Sequence, residues 1–184
     1  GYWKMEEASD ATRADYSGNS NTLTESSLDT VAQTSGKYGY SGDFEFDDTE
    51  SISITDASQR GLDITGNITL CSWIKPESFA AAAMGVVGKW TSGASSYYLS
   101  VASNETVDFS VYSGITGSSV SSEIGSVTVG NWVHICGVYD GKNIISYVNG
   151  VPSGDGPIPY SSGIANTSAA FTIGTANDTD YFDG

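Results

Sequence analysis

Short runs of alternating apolar and polar residues, separated by turn-forming dipeptides, constrain this chain more than any other feature. Alternation with a period of two is typical of a strand with one face in a core. No long window keeps the apolar spacing that an amphipathic helix needs, and Asp140-Gly141 and Asn149-Gly150 are hairpin signals. The pattern predicts an all-β sandwich or jelly roll in a single domain over 1–184. The predicted strands include 44–46, 52–54, 68–74, 99–101, 107–111, 133–136, 144–148 and 171–173.

Composition excludes several classes of partner. The chain has 22 acidic and 7 basic residues, a net charge of −15, which disfavours nucleic acid and anionic membrane surfaces. No run of about 18 apolar residues is present, so no membrane insertion is expected. The chain has one histidine, His134, and two cysteines, Cys71 and Cys136, and these counts exclude a zinc site built on several such residues.

Two features could suggest catalysis, and both have a simpler structural interpretation. Asp43, Glu45 and Asp47 alternate with Phe44 and Phe46, as the paired carboxylates of a glycosidase could. The pattern equally suits a strand with its phenylalanines inward and its carboxylates in solvent, which is the interpretation we favour. His134 has no nucleophile at a recognisable spacing, and its position near Cys136 suits a core or subsurface residue. We therefore expect no catalytic residues.

Aromatic residues near predicted strand ends and loops are the candidate ligand-binding residues. An aromatic platform beside hydroxyl and amide groups is typical of sugar recognition, although tyrosine and tryptophan also fill sandwich edges with their polar tips hydrogen-bonded. The candidates are Trp90, Tyr97, Tyr98 and Tyr112.

Four groups of segments, in a fixed order, point to a family. They are 1–7 with 15–19, 42–47 with 51–54, 68–76, and 132–141 with 147–150. Together they resemble the laminin-G-like, pentraxin-related modules of the concanavalin A-like lectin/glucanase superfamily. The resemblance implies a two-sheet antiparallel jelly roll. It also implies a closing strand after 181–184, so we expect this to be a domain of a longer protein, or one completed by a neighbouring chain or domain.

The same resemblance implies a disulfide between Cys71 and Cys136, which pentraxins have at equivalent positions. The strand parity agrees, because Cys71 shares a face with Trp73 and Cys136 shares one with His134. The alternative is two buried free thiols in a reducing cell. A disulfide predicts an oxidising compartment, whether secreted, periplasmic, cell-surface or virion. Of these we expect an extracellular setting: secreted, on a cell surface or on a virion.

A structural calcium ion is the cofactor that the resemblance implies. The candidate ligands are Glu7, through its carbonyl, with Asp15 and Asn19 of the 15–19 turn. Asp15 and Asn19 could instead only cap that turn. The second calcium arrangement of pentraxins is not expected, because 93–98 lacks acidic residues.

These observations predict a non-catalytic extracellular recognition module that binds glycan or another surface ligand. Its expected partners are a glycan or a surface protein, together with other domains or copies of the same assembly. The alternative is a structural, decoration or adhesion module of a virion, tail, filament or cell-surface assembly with mainly protein contacts. A glycan-processing enzyme of the same fold ranks below both.

Overall fold

The computed structural model describes residues 1–9, 12–25, 30–79, 81–114, 116–176 and 179–184, and all regular structure there is β. Among these residues there is no helix with the length and apolar character needed to cross a bilayer. The strands are β1 Thr24–Glu25, β2 Ala32–Ser35, β3 Tyr40–Asp43, β4 Ile52–Ile54, β5 Ile68–Ile74, β6 Ala83–Thr91, β7 Ala94–Ala102, β8 Val107–Tyr112, β9 Gly117–Ser121, β10 Val133–Tyr139, β11 Asn143–Val148, β12 Val151–Pro152, β13 Ile158–Pro159, β14 Phe171–Ile173, β15 Thr175–Ala176 and β16 Asp180–Tyr181.

Two antiparallel sheets form a sandwich. The larger sheet has the order β1-β4-β14-β6-β7-β8-β9, and the smaller has the order β12-β11-β10-β5 with β13 on β11. Strands β6 to β9 follow one another as hairpins, whereas β14 returns from the end of the chain to lie between β4 and β6. Hairpin runs joined by a long return connection are typical of a jelly roll, so the predicted fold is confirmed.

The alternation read from the sequence sets which side chains enter the core. In β8, Val107, Phe109 and Val111 are fully buried between the sheets. A Cβ on Gly137 in β10 would lie 2.1 Å from the Phe109 ring, so a glycine is needed where β10 packs against Phe109. In β5, Ile68 is buried in the core while Trp73 on the opposite face is 40% exposed.

A buried ion-pair network, which was not predicted from the sequence, is centred near the C-terminal end of β6. The side chain of Lys89 is fully buried, and its Nζ lies 2.8 Å from an Asp56 carboxylate oxygen and 3.0 Å from one of Asp63. It also donates to the Thr167 carbonyl. A buried ammonium is tolerated only when it is paired in this way, so the network fixes 56–63 and Thr167 against β6.

The prediction of a strand at 44–46 is wrong. Strand β3 ends at Asp43, and a turn follows in which the Thr49 N–H donates to the Phe46 carbonyl at 3.1 Å. Thr49 has a φ of 58°, a left-handed conformation that a strand cannot contain. Phe44 is buried as expected, but its backbone pairs with Gly184 through two hydrogen bonds of 3.2 and 2.9 Å.

Along the other edge of the smaller sheet, the described residues leave β5 without a second strand partner. A groove of about 800 Å³ runs along this edge. Its walls include the partly buried apolar side chains of Trp3, Met5, Leu70 and Ile173. Unpaired backbone groups beside apolar walls are the features that an added strand would cover.

Candidate functional site

Three of the four predicted ligand residues form one aromatic cluster on the outer face of the larger sheet. Trp90, Tyr98 and Tyr112 come from the adjacent strands β6, β7 and β8. The ring centroids of Trp90 and Tyr98 are 5.5 Å apart, and those of Tyr98 and Tyr112 are 6.3 Å apart with planes inclined by only 16°. We call Trp90, Tyr98 and Tyr112 the aromatic face.

Two glycines let these rings lie flat on the sheet. Tyr98 is opposite Gly88, and Tyr112 is opposite Gly117. A Cβ on Gly88 would lie 2.5 Å from the Tyr98 Cβ, and one on Gly117 would lie 2.3 Å from the Tyr112 ring. Neither distance is sterically possible, so any larger residue would push a ring away from the sheet. Sequence reasoning missed both glycines, because their role depends on cross-strand register.

Polar groups lie beside the rings. Ser110, next to Tyr98 on β8, is buried and its hydroxyl is 2.6 Å from that of Ser119. The indole Nε1 of Trp90 is buried and has no acceptor at hydrogen-bonding distance among the described residues. Burial, followed by the neighbouring Tyr98 hydroxyl, raises the pKa of Tyr112 to about 12. Tyr112 therefore stays protonated at neutral pH and can donate a hydrogen bond.

Tyr97 is not part of the aromatic face, and its prediction as a ligand contact is wrong. Adjacent residues of a strand point to opposite faces, and Tyr97 points into the core with Leu99. It is fully buried, and its hydroxyl donates to the Leu62 carbonyl at 2.6 Å. A ligand on the outer face cannot contact it.

The outer face of the smaller sheet has the two cysteines, which are joined. Cys71 and Cys136 are directly opposite in β5 and β10 and form a disulfide with an S–S distance of 2.11 Å. The next cross-strand pair on this face is Trp73 and His134, whose ring centroids are 5.2 Å apart. His134 is half-buried, and both of its ring nitrogens lie 3.9 Å from the Cys136 Sγ.

The acidic residues weighed for catalysis lie in the turn between β3 and β4. Glu45 and Asp47 are exposed there. Burial raises the pKa of Glu45, and the nearby carboxylates of Asp43 and Asp183 raise it further. Glu45 and Asp47 lie away from the aromatic face, on a different part of the sandwich. Because 44–46 is not a strand, the alternation in the sequence does not place these carboxylates side by side on one strand face.

One of the predicted calcium ligands, Asp15, has a carboxylate that already accepts three backbone hydrogen bonds. The Asp15 carboxylate accepts the backbone N–H groups of Tyr2, Ser17 and Asn21 at 2.9, 2.9 and 3.1 Å. Burial acts to raise the pKa of Asp15, but these hydrogen bonds and one from the Ser17 side chain lower it to about 2. Asp15 is therefore a turn cap.

The other two predicted calcium ligands differ in what they still offer a metal ion. The side-chain amide of Asn19 contacts the Ser17 hydroxyl at 3.1 Å, as in a polar turn. Glu7 accepts the Ala14 N–H through Oε1 at 3.0 Å, whereas its Oε2 is buried and has no partner among the described residues. Of the three, Glu7 alone retains an unused carboxylate oxygen.

Comparisons with known proteins give one family and a set of similar folds. A family model described as the concanavalin A-like lectin/glucanases superfamily matches residues 46–184. No curated protein sequence matches the chain.

Several solved structures have a similar fold. Domain 4 of AbnA, an extracellular arabinanase from Geobacillus stearothermophilus solved with arabinotriose, has a TM-score of 0.66 and 18% identity over 93% of this chain and 82% of that one. A botulinum neurotoxin type C structure, described as depending on two ganglioside molecules for cell entry, has a TM-score of 0.64 and 11% identity over 97% of this chain and 44% of that one. The Ruminococcus gnavus sialidase CBM40 bound to α2,3-sialyllactose has a TM-score of 0.53 and 15% identity over 72% of this chain and 80% of that one. At these identities the likeness is one of fold alone.

Proposed function

This chain belongs to the concanavalin A-like lectin/glucanases superfamily, and on that premise we propose that it is a non-catalytic module that binds carbohydrate through the aromatic face. The observation that carries the proposal is the row of three neighbouring rings, Trp90, Tyr98 and Tyr112, on three adjacent strands, in which Tyr98 and Tyr112 are stacked and Trp90 is tilted by 50° against Tyr98. Structures of similar fold were solved with arabinotriose and with sialyllactose, which supports a carbohydrate ligand.

The chemistry of the aromatic face suits a sugar. Apolar C–H faces of a pyranose or furanose ring pack on aromatic rings, and its hydroxyl groups require nearby donors and acceptors. The Trp90 indole N–H is buried, so Trp90 offers a ligand its ring surface, and the hydrogen bonds to the sugar hydroxyls must come from neighbouring polar groups. The half-buried Tyr112 hydroxyl and the serines of β9, of which Ser119 is exposed, can supply them.

Binding without catalysis is supported by where the candidate catalytic side chains lie, which is away from the aromatic face. His134 is on the opposite sheet from the aromatic face, and Glu45 and Asp47 are in the turn between β3 and β4. We propose that the module works in the extracellular space as part of a longer protein. The Cys71–Cys136 disulfide supports that setting, since such bonds persist in oxidising compartments.

The test is a titration of the protein with arabinotriose and α2,3-sialyllactose, followed by a panel of other oligosaccharides, using isothermal calorimetry. For any sugar that binds to the wild-type protein, we expect Trp90→Ala and Tyr112→Ala each to lower the affinity by roughly tenfold or more, which corresponds to about 1.4 kcal/mol. Trp73→Ala is the matched control, because it removes an exposed aromatic from the opposite sheet. Equal losses in Trp73→Ala and Trp90→Ala, or no binding across the panel, would contradict the proposal.

Calcium stays a prediction, now centred on the Glu7 side chain rather than on its carbonyl. The buried Glu7 Oε2 supports a cation nearby, whereas the hydrogen bonds of Asp15 support a purely structural cap. We expect millimolar calcium to raise the melting temperature of the wild-type protein but not that of Glu7→Gln. A shift of equal size in both proteins would show that calcium acts elsewhere.

A second candidate function is a structural module of an assembly with mainly protein contacts. The free edge of β5 and its apolar groove favour it, because an edge strand of a second copy could pair there. Leu70→Lys would place a charge in the groove, whereas Ile124→Lys would place one on the exposed loop between β9 and β10, away from the groove. Sedimentation velocity should show concentration-dependent association that Leu70→Lys abolishes and Ile124→Lys retains. A monomer at every concentration would count against this function.

A further inference from the structure

Three metal-ligating side chains converge on the outer face of the smaller sheet, although the residue counts had excluded a zinc site of this kind. Cys71 and Cys136 are cross-strand partners, and His134 lies two residues before Cys136 on the same face. Their sulfur and ring-nitrogen atoms all lie within 4.8 Å of one another. The register of β5 against β10 brings together every cysteine and the one histidine of the chain, which composition alone cannot show.

We propose that reduction of the disulfide turns these three residues into a binding site for one zinc ion. A dithiol or phosphine reductant supplies two electrons, and two protons are taken up as the S–S bond breaks to give two thiols. Binding of Zn²⁺ then releases those two protons, because thiolate is the form that ligates zinc. Two zinc–sulfur bonds and one zinc–nitrogen bond form, and the metal does not change its oxidation state.

The geometry requires little movement of the histidine. Zinc bonds of about 2.3 Å to sulfur and about 2.0 Å to nitrogen at a tetrahedral angle place the two ligand atoms roughly 3.6 Å apart. The His134 nitrogens already lie 3.9 Å from the Cys136 Sγ, and rotation of the ring can turn either nitrogen towards the metal. The two sulfurs must lie roughly 3.8 Å apart on the ion, a separation that side chains directly opposite on neighbouring strands can reach.

The surroundings position the imidazole and leave one side open. The Trp73 ring packs against the His134 ring at 5.2 Å, and the Asn149 side chain accepts the His134 backbone N–H at 3.1 Å. Cys71 is exposed, so a water molecule can take the fourth position. The net charge of −15 raises the local concentration of cations.

The composition makes the metal titration simple to interpret, since any thiolate or imidazole ligand must come from these three residues. The full chain, reduced with a phosphine under nitrogen, is titrated with Co²⁺ as a spectroscopic probe and then with Zn²⁺. We expect a thiolate-to-cobalt charge-transfer band at one equivalent, which zinc removes. The oxidised protein is the control for binding of cations to carboxylates, and it should show no such band.

Variants separate the ligands from their neighbours. Cys71→Ser should abolish the two-thiolate spectrum, and His134→Ala should weaken zinc binding at least tenfold, which corresponds to 1.4 kcal/mol. Trp73→Phe retains all three ligands and should bind within about threefold of wild type, roughly half of that energy difference.

Three results would overturn the proposal. The first is the absence of the charge-transfer band in the reduced wild-type protein, and the second is equal affinity of His134→Ala and wild type. The third is a loss of near-UV circular dichroism on reduction that zinc does not restore, since the site would then not exist in a folded chain. None of these measurements depends on carbohydrate binding, so this proposal and the proposed function can fail independently.

Discussion

Replacing Glu50 with glutamine should remove a pH-dependent loss of stability from this protein. The Glu50 side chain is 4% exposed, and its Oε2 accepts the Glu45 backbone N–H at 3.0 Å. Burial raises the pKa of Glu50 to about 7, against the opposing effect of that hydrogen bond, and the nearby carboxylates of Glu45 and Asp48 add to the rise. Glutamine has nearly the same shape, and its amide oxygen can accept the same N–H, but it does not ionise.

The sign and the size of the effect follow from proton linkage. Because the pKa is higher in the folded protein than in the unfolded chain, the stabilising contribution is complete below the unfolded pKa and is lost as pH rises through the folded pKa. The pKa goes from an ordinary value of 4.5 to about 7. At 1.36 kcal/mol for each pH unit, ionising the buried carboxyl costs at most about 3 kcal/mol.

Urea unfolding followed by tryptophan fluorescence at pH 4.5, 6 and 8 measures this cost. We expect the free energy of unfolding of Glu50→Gln to gain up to about 3 kcal/mol on wild type between pH 4.5 and pH 8. Asp47→Asn is the matched control, since it removes an exposed carboxylate from the same turn and should gain less than about 0.5 kcal/mol. Curves for wild type and Glu50→Gln that stay parallel across this range would refute the reasoning.

Three further changes test the packing, each by the same unfolding measurement. Lys89→Met should lower the free energy of unfolding by about 3 kcal/mol, because two carboxylates lose their buried cation; no change would show that the pair adds nothing. Gly137→Ala should cost about 1 to 3 kcal/mol, since its Cβ would lie 2.1 Å from the Phe109 ring, and a neutral result would mean that the sheets separate easily. The pKa of Asp15 is lowered to about 2, so the contribution of its carboxylate to the free energy of unfolding is present above pH 3.8 and is lost as pH falls towards 2. Asp15→Asn should flatten that part of the acid-unfolding curve. A curve unchanged from wild type would contradict the capping role.

Strand alternation made most of the fold predictable, and its failures have physical causes. The buried set of Val107, Phe109 and Val111 could be read from the sequence because apolar and polar residues alternate over 107–111. The same alternation around Phe44 and Phe46 was misleading. A turn begins at Phe46, and Thr49 adopts a positive φ, which residue periodicity cannot show.

The candidate site was predictable in its residue types but not in its arrangement. Tyr97 could have been excluded from the sequence, since it shares a strand face with Leu99 and Val101, which are core residues. The proximity of Trp90 to Tyr112 could not have been predicted. It depends on the registers of β6 against β7 and of β7 against β8, including the irregularity between Lys89 and Trp90.

The aromatic face lies on three strands that are consecutive in the chain, and this has a consequence for the order of folding. Closing two short hairpins costs little loop-closure entropy. Pairing β5 with β10, or β14 with β4 and β6, costs more because it joins segments that are distant in the chain. We therefore expect β6, β7 and β8 to form a local cooperative unit before the sandwich closes. In hydrogen exchange, their amides should be protected earlier in refolding than those of β14. The aromatic face would then exist, in outline, before the core that supports it.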